Sequence, residues 1–370
     1  MTDHIDSLEI EGFKCFENLR VPLRPLTLFT GYNGAGKSTA IQPMLLLAQG
    51  ARLRSWKADQ GGGKLPLNGD LVRLGSSGDV LRTASSSKGS RFLVSSGEQS
   101  VEVSLVGKAG DRVLEAITEL SGGDDGVVAN RIKRLVHLSA VRSGPSDAFP
   151  IPDRSYSGLP DVGADGRYAS YWYHELADNV IEEAKMRPGS EGTTLRRQVD
   201  AWLDFLAPGA SANVQSLAAA SSLALQFSLS GSNNWKRPAN VGYGLTYAFP
   251  VLVALLAAEP GDIVSIDSPE AHLHPRAQSH MGRMLAHFAS AGVQLLIETH
   301  SDHVLNGARL VVRDEVLPPD KMQLLFFGGA REHDHGVITP KLDQAGRIDA
   351  WPEGFFDQGE ADIANLAGWN

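Results

Sequence analysis

Gly31-Tyr32-Asn33-Gly34-Ala35-Gly36-Lys37-Ser38-Thr39 is the stretch whose reading decides the fold. It follows an apolar run of strand type, Leu26-Thr-Leu-Phe-Thr30, and opens a segment that predicts a helix from Thr39 to Gln49. The pattern GxxxxGK[ST] between a strand and a helix is a phosphate cradle. Glycines let backbone N–H groups approach phosphates, and the helix N-terminus adds a dipole that favours an anion. Asn33, Gly34, Ala35, Gly36, Lys37, Ser38 and Thr39 are therefore the candidate nucleotide-binding residues. Lys37 would reach the β/γ-phosphates and Ser38 would hold Mg²⁺. A chance match in a Gly-rich turn is the competing reading, and the strand–loop–helix context weighs against it.

The 370 residues are long for one domain and can bury a substantial core. A hydrophobic content of 42% and a charged content of 21% indicate a folded, soluble chain. Cys15 is the single cysteine, so no intramolecular disulfide can form, which suits a reducing cytosol. Met1–Asp6 lacks the basic and apolar regions of a signal peptide. The longest apolar run, Leu245–Ala258, is too short to span a bilayer and contains Pro250, so it predicts a buried helix. The expectation is a cytoplasmic protein that does not enter a membrane. A net charge of −9 argues against a wholly basic nucleic-acid binder but leaves a local basic patch open.

Short strands are predicted over Ser7–Glu11, Leu19–Leu23 and Leu26–Thr30. Residues 57–70, rich in Gly, Lys and Asp, read as an exposed loop. From Val80 to Leu120 the alternation is strand-like, which suggests an antiparallel sheet arm, and Leu135–Ser139 is another apolar strand. Residues 143–167 read as a long loop. Residues 168–206 are helical, broken near Arg187–Gly192, and carry no sustained heptads. Residues 240–328 return to an α/β pattern.

Asp262-Ile-Val-Ser-Ile-Asp267 is an apolar strand ending in a carboxylate. In phosphate-loop ATPases such an Asp binds Mg²⁺ through water, opposite the loop Ser. Asp267-Ser-Pro-Glu-Ala-His-Leu-His-Pro275 follows, and then Leu295-Leu-Ile-Glu-Thr-His-Ser301. Together these motifs resemble the ABC-type ATPase heads of the SMC/Rad50/RecF and OLD group. They most resemble small bacterial AAA-type ATPases with an "ExPEAHLHP … ETHSDHxLNG" pattern. The uncharacterised C-terminal segment of those proteins resembles Ile348–Asp357 here. The resemblance covers nearly the whole chain and is weakest between about residues 80 and 130.

The resemblance implies an α/β fold: a P-loop ATPase head with an antiparallel β arm and a helical insertion in place of a long coiled coil. Its N-terminal half would span residues 1–138 and the insertion 139–210. The C-terminal half would span 211–330, followed by a C-terminal segment, 331–370. It also implies site roles. Asn240–Thr246, with Gly242 and Gly244, is similar to a degenerate ABC signature that caps the γ-phosphate of a partner's ATP. Leu273-His274-Pro275 is similar to the D-loop, and His300 to the switch histidine. ATP would then sit between two heads, so that binding closes a homodimer and hydrolysis opens it.

One position departs from the family pattern. Ser268 stands where such heads carry the catalytic Glu, and a serine is no base at neutral pH. Glu270 and Glu298 are the candidate substitutes. Glu298 lies two residues before His300 on a strand expected between the phosphate-loop strand and the Asp267 strand, so it is slightly favoured as the water-orienting group. An ion pair of Glu298 with Lys37 or an Arg is the competing reading.

His272, His274, His280, His300 and His303, with Asp302, admit a transition-metal nuclease site as a minor reading, while His333 and His335 read as solvated. Asn130–Arg134 and Leu195–Arg197 could line a DNA surface or form a solvated face. Arg142 could face the nucleotide or the dimer seam, or form a buried ion pair. The overall expectation is an ATP-dependent switch in antiphage defence or DNA maintenance. DNA and a separate nuclease or effector subunit are its candidate partners, with residues 139–210 as the contact. The chain's end near residue 370 is expected to leave no room for a Toprim nuclease domain. The alternatives are an ATP-assembled scaffold with negligible turnover, which Ser268 favours, and a transporter ATPase, which the "PEAHLHP" D-loop disfavours.

Overall fold

The computed structural model describes residues 4–57, 61–82, 89–122, 126–153, 159–217, 221–229, 234–328, 336–356 and 358–368. The N-terminal elements are β1 (Ser7–Phe13), β2 (Phe16–Pro22), β3 (Leu26–Gly31) and α1 (Lys37–Arg52). Next come β4 (Trp56–Lys57), β5 (Gly62–Pro66), α2 (Ser77–Val80), β6 (Gly89–Ser96), β7 (Gln99–Val106) and β8 (Val113–Ser121). The middle of the chain forms α3 (Val127–Lys133), β9 (Val136–Leu138), β10 (Phe149–Pro150), α4 (Ala169–Leu176), α5 (Leu195–Leu206), β11 (Ser211–Leu217) and β12 (Ser222–Ser228). Then follow α6 (Tyr243–Ala257), β13 (Ile263–Asp267), α7 (Pro275–Ser290), β14 (Gln294–Glu298), α8 (Asp302–Arg313), β15 (Met322–Phe327), β16 (Val337–Ile338) and α9 (Gln358–Ala367).

Three sheets organise these elements. The six-stranded sheet runs β16-β15-β3-β14-β13-β9, parallel except at β16. Its central strands are buried almost throughout and covered on both faces, as a parallel sheet requires. The strand leading to His300 does lie between the phosphate-loop strand and the Asp267 strand. A seven-stranded antiparallel sheet runs β2-β1-β6-β7-β8-β5-β4. Its strand β6 alternates buried and half-buried residues, one face turned to the core. A three-stranded sheet runs β10-β12-β11.

Two apolar cores result. One joins α1, the antiparallel sheet and one face of the parallel sheet through Phe13, Phe16, Phe29, Phe92 and Phe327. The other joins the opposite face to α4–α8 and β10–β12 through Trp202, Phe227, Phe249 and Phe288.

Three sequence expectations change. Residues 57–70 are more than a loop: β5 pairs with β8, and Leu65 and Leu67 are fully buried. The antiparallel stretch is continuous with β1 through the β1–β6 ladder, so the expected arm forms one sheet with β1 and β2, while β3 belongs to the parallel sheet. Between residues 168 and 206 the second helix, α5, runs as the sequence predicts and buries Leu195, Val199, Trp202, Leu203 and Leu206 in the second core, whereas α4 ends at Leu176, earlier than expected. No described helix is long and apolar enough to cross a membrane.

Candidate functional site

Strand β3 delivers the loop and α1 carries it away. Gly36 caps α1 at φ 106°, a left-handed conformation that glycine adopts without steric cost. Lys37 is buried, and its Nζ donates to the carbonyls of Gly31 at 3.0 Å and Tyr32 at 2.8 Å. Burial lowers its pKa, while Glu298 and Asp267 oppose that shift. Ser38 Oγ donates to Glu298 Oε1 at 3.0 Å. The ion pair weighed for Glu298 is thus replaced by a hydrogen bond to the loop serine, and Lys37 bonds to main-chain oxygens.

Asp267 and Glu298 end adjacent parallel strands in the same register. Burial, and then the neighbouring Asp267, raise the Glu298 carboxyl to a pKa of about 7. Ser268 has φ 51°, and its Oγ donates to Asp267 Oδ1 at 2.8 Å. This residue therefore orients the strand-end carboxylate, a role that depends on a left-handed turn and leaves no trace in the motif. Glu270 accepts from Thr299 Oγ1 at 2.8 Å and from the His300 amide at 2.9 Å, so both its oxygens hold the loop that carries His300. The His300 ring faces solvent with its pKa lowered, first by partial burial and then by the Lys37 charge.

Arg142 is buried beside these groups. Its Nη2 donates to the Asp267 carbonyl at 2.8 Å, and its guanidinium lies 5.6 Å from the centre of the Tyr247 ring. Burial brings its pKa down to about 10, against the pull of Asp267 and Glu270. Arg142 is thus buried, as the ion-pair reading had it, but its hydrogen-bond partners among the described residues are the main-chain carbonyls of Asp267 and Ser268 and not a carboxylate.

The start of α6, with Gly242 and Gly244, meets the turn before α7 at His272, two residues from His274, and reaches Arg142 through Tyr247. Gly242 caps α6 at φ 80°, and a side chain at position 244 would meet the His272 carbonyl at 3.0 Å. The exposed His272 lies against Tyr243 and Tyr247, with ring centres 5.2 and 4.7 Å away. His274, also exposed, caps α7 by accepting from the Arg276 amide at 3.3 Å.

The other histidines are dispersed. His280 stacks on Phe205 at 4.1 Å, and no group of three or more His, Cys, Asp or Glu among the described residues could hold a metal ion. His333 and His335 lie outside the described residues. The basic candidates are engaged as well. Arg134 is bonded to Asp262 and to Glu259, the latter at 2.7 Å, and Arg196 faces Asp178 at 3.4 Å. The Ser38 hydroxyl and the Asp267 carboxylate are hard oxygen donors of the kind Mg²⁺ takes, with a buried lysine beside them for phosphate.

A phosphate loop entering α1, adjacent parallel strands ending in carboxylates, and a flanking antiparallel sheet give the chain the fold of a P-loop ATPase head. The chain belongs to the family described as "AAA domain, putative AbiEii toxin, Type IV TA system", matched over residues 26–306. Residues 317–366 match a second family, "Protein of unknown function (DUF3696)".

Among solved structures, the chain is similar to an Smc head bound to the C-winged helix domain of ScpA. That likeness has 13% identity and a TM-score of 0.53 over 92% of this chain and 99% of that one. It is also similar to an Smc head with an extended coiled coil, bound to the C-terminal domain of ScpA, from Pyrococcus furiosus. There the identity is 12% and the TM-score 0.51, over 98% of this chain and 99% of that one. No curated protein matches the sequence.

Proposed function

We propose that this chain is an ATP-hydrolysing switch that dimerises on ATP and passes that state to DNA or to a separate nuclease or effector subunit, in antiphage defence or DNA maintenance. The supporting observation is the convergence of Lys37, Ser38, Asp267 and Glu298 at the ends of three neighbouring strands. Ser38 and Asp267 hold Mg²⁺, which when bound neutralises charge on the phosphates. The loop amides from Asn33 to Thr39 and the Lys37 ammonium bind the phosphate chain. Glu298, with a pKa near neutrality, is poised to take a proton from the attacking water. His300 contacts the γ-phosphate, and Glu270 fixes the loop that presents it. Gly242, Gly244 and His274, at the starts of α6 and α7, face the nucleotide of a second copy.

A second reading keeps the ATP-driven dimer but with negligible turnover, as a scaffold. Ser268 favours it, because its hydroxyl serves Asp267 instead of a water. Steady-state ATP turnover with and without DNA, alongside mass by light scattering with and without ATP, separates the two. DNA-stimulated turnover supports the switch, and ATP-driven dimers without turnover support the scaffold. A monomer with ATP would contradict both.

A further inference from the structure

The C-terminal segment reaches back to the phosphate loop. Tyr32, the loop residue after Gly31, sends its hydroxyl to the Glu353 carbonyl at 3.3 Å and sets its ring edge-on to Phe326 at 5.7 Å. Gly354, at φ 78°, lies so close that a side chain there would meet Tyr32 Oη at 1.9 Å. The buried Phe355 packs edge-on to the same Phe326 at 5.4 Å.

At its other end the segment is fixed to α8. Arg309 Nε donates to the Gly346 carbonyl at 2.7 Å, and its guanidinium lies 5.5 Å from the Trp351 ring, which in turn packs on Phe355 at 4.7 Å. Helix α8 begins two residues after His300, capped by Ser301. The segment therefore spans from the helix behind the switch histidine to the phosphate loop. What it grips there matters chemically, because the Tyr32 carbonyl is one of the two acceptors of the Lys37 ammonium.

We infer that residues 346–356 act as a strap that positions Tyr32, and through its carbonyl Lys37, for nucleotide binding. The strap couples the phosphate loop to α8, so movement at either end is felt at the other. Tyr32 and Gly354 are positioning residues: they act on the nucleotide through Lys37. This inference rests on the reading of the loop as an ATP site.

The test is titration of the full chain with a fluorescent ATP analogue and Mg²⁺, with thermal melting as a control, for wild type, Gly354→Ala, Tyr32→Ala and the double variant. The side chain at 354 displaces Tyr32, so Gly354→Ala should weaken analogue binding about fivefold or more, the scale of coupling between contacting residues. The double variant should bind no worse than Tyr32→Ala, because the clash is gone. Affinity for Gly354→Ala within twofold of wild type, or losses that add in the double variant, would overturn the strap. A wild type that does not bind the analogue would instead refute the ATP reading. Should Gly354→Ala not fold, amide hydrogen exchange on wild type decides. Residues 346–356 should become more protected with the analogue, and unchanged exchange would overturn the inference.

Discussion

Lys37, Ser38 and Asp267 stand out at the residue scale because each belongs to a sequence pattern of fixed form, GxxxxGK[ST] or an apolar strand ending in a carboxylate. Ser268 and Glu270 do not, because their partners are set by turns. The left-handed backbone at Ser268 aims its hydroxyl at Asp267, and the turn after β13 brings Glu270 under the His300 amide. Three predictions belong here. Glu298→Gln should lower steady-state turnover about a hundredfold, the usual contribution of a general base. Glu270→Gln should also lower it, by loosening His300; if neither change has an effect, both roles are wrong. Ser268→Ala removes the hydroxyl that orients Asp267. It should raise the Mg²⁺ concentration for half-maximal ATP binding roughly tenfold, a typical cost of losing a group that orients a metal ligand. An unchanged Mg²⁺ titration would contradict that role.

Elements with strong periodicity were predicted from the sequence nearly as they stand. Helix α5 follows its apolar stripe and stops at Ala207, before Pro208-Gly209. Strand β5 was missed because Gly62, Gly63 and Lys64 carry no alternation, and its pairing comes from β8, about fifty residues away. Removing the ring at Trp202, packed between Phe205, His287 and Phe288, should show how firmly α5 is docked. Trp202→Ala is expected to cost about 3–5 kcal/mol of unfolding free energy, measured by chemical denaturation.

On β9, His137 is buried and its Nδ1 lies 3.2 Å from Ser265 Oγ. Burial brings its pKa down to about 4. The folded state thus favours the neutral ring, and its contribution is complete above about pH 6.5, the unfolded value. It should be lost progressively as pH falls from 6.5 towards 4, by up to about 3 kcal/mol. His137→Asn should flatten that part of the stability curve, and a curve as steep as wild type would contradict the assignment.

For the whole molecule, the motif order indicates the head fold, and strand order then explains why the site sits where it does. Three neighbouring parallel strands end together, each contributing one part. The sequence alone could not show that the C-terminal segment returns to the phosphate loop, because that contact depends on packing around Phe326 and Phe355. Nor could it show that the glycine turn of α6 meets His272, whose ring packs on Tyr247 beside Arg142. In the proposed ATP dimer this patch, with Tyr243 51% accessible, is the surface that would close on a second copy. Gly242→Arg should abolish ATP-dependent dimers in light scattering while leaving analogue binding by the monomer intact. Loss of both together would place that glycine in the chain's own site.

The most direct measurement is the mass of Glu298→Gln in solution at saturating Mg²⁺ and ATP. If ATP is shared between two heads and Glu298 drives its hydrolysis, the variant should be trapped as a dimer, at twice the 39.6 kDa of the chain. A mass that stays at 39.6 kDa with ATP bound would contradict the account.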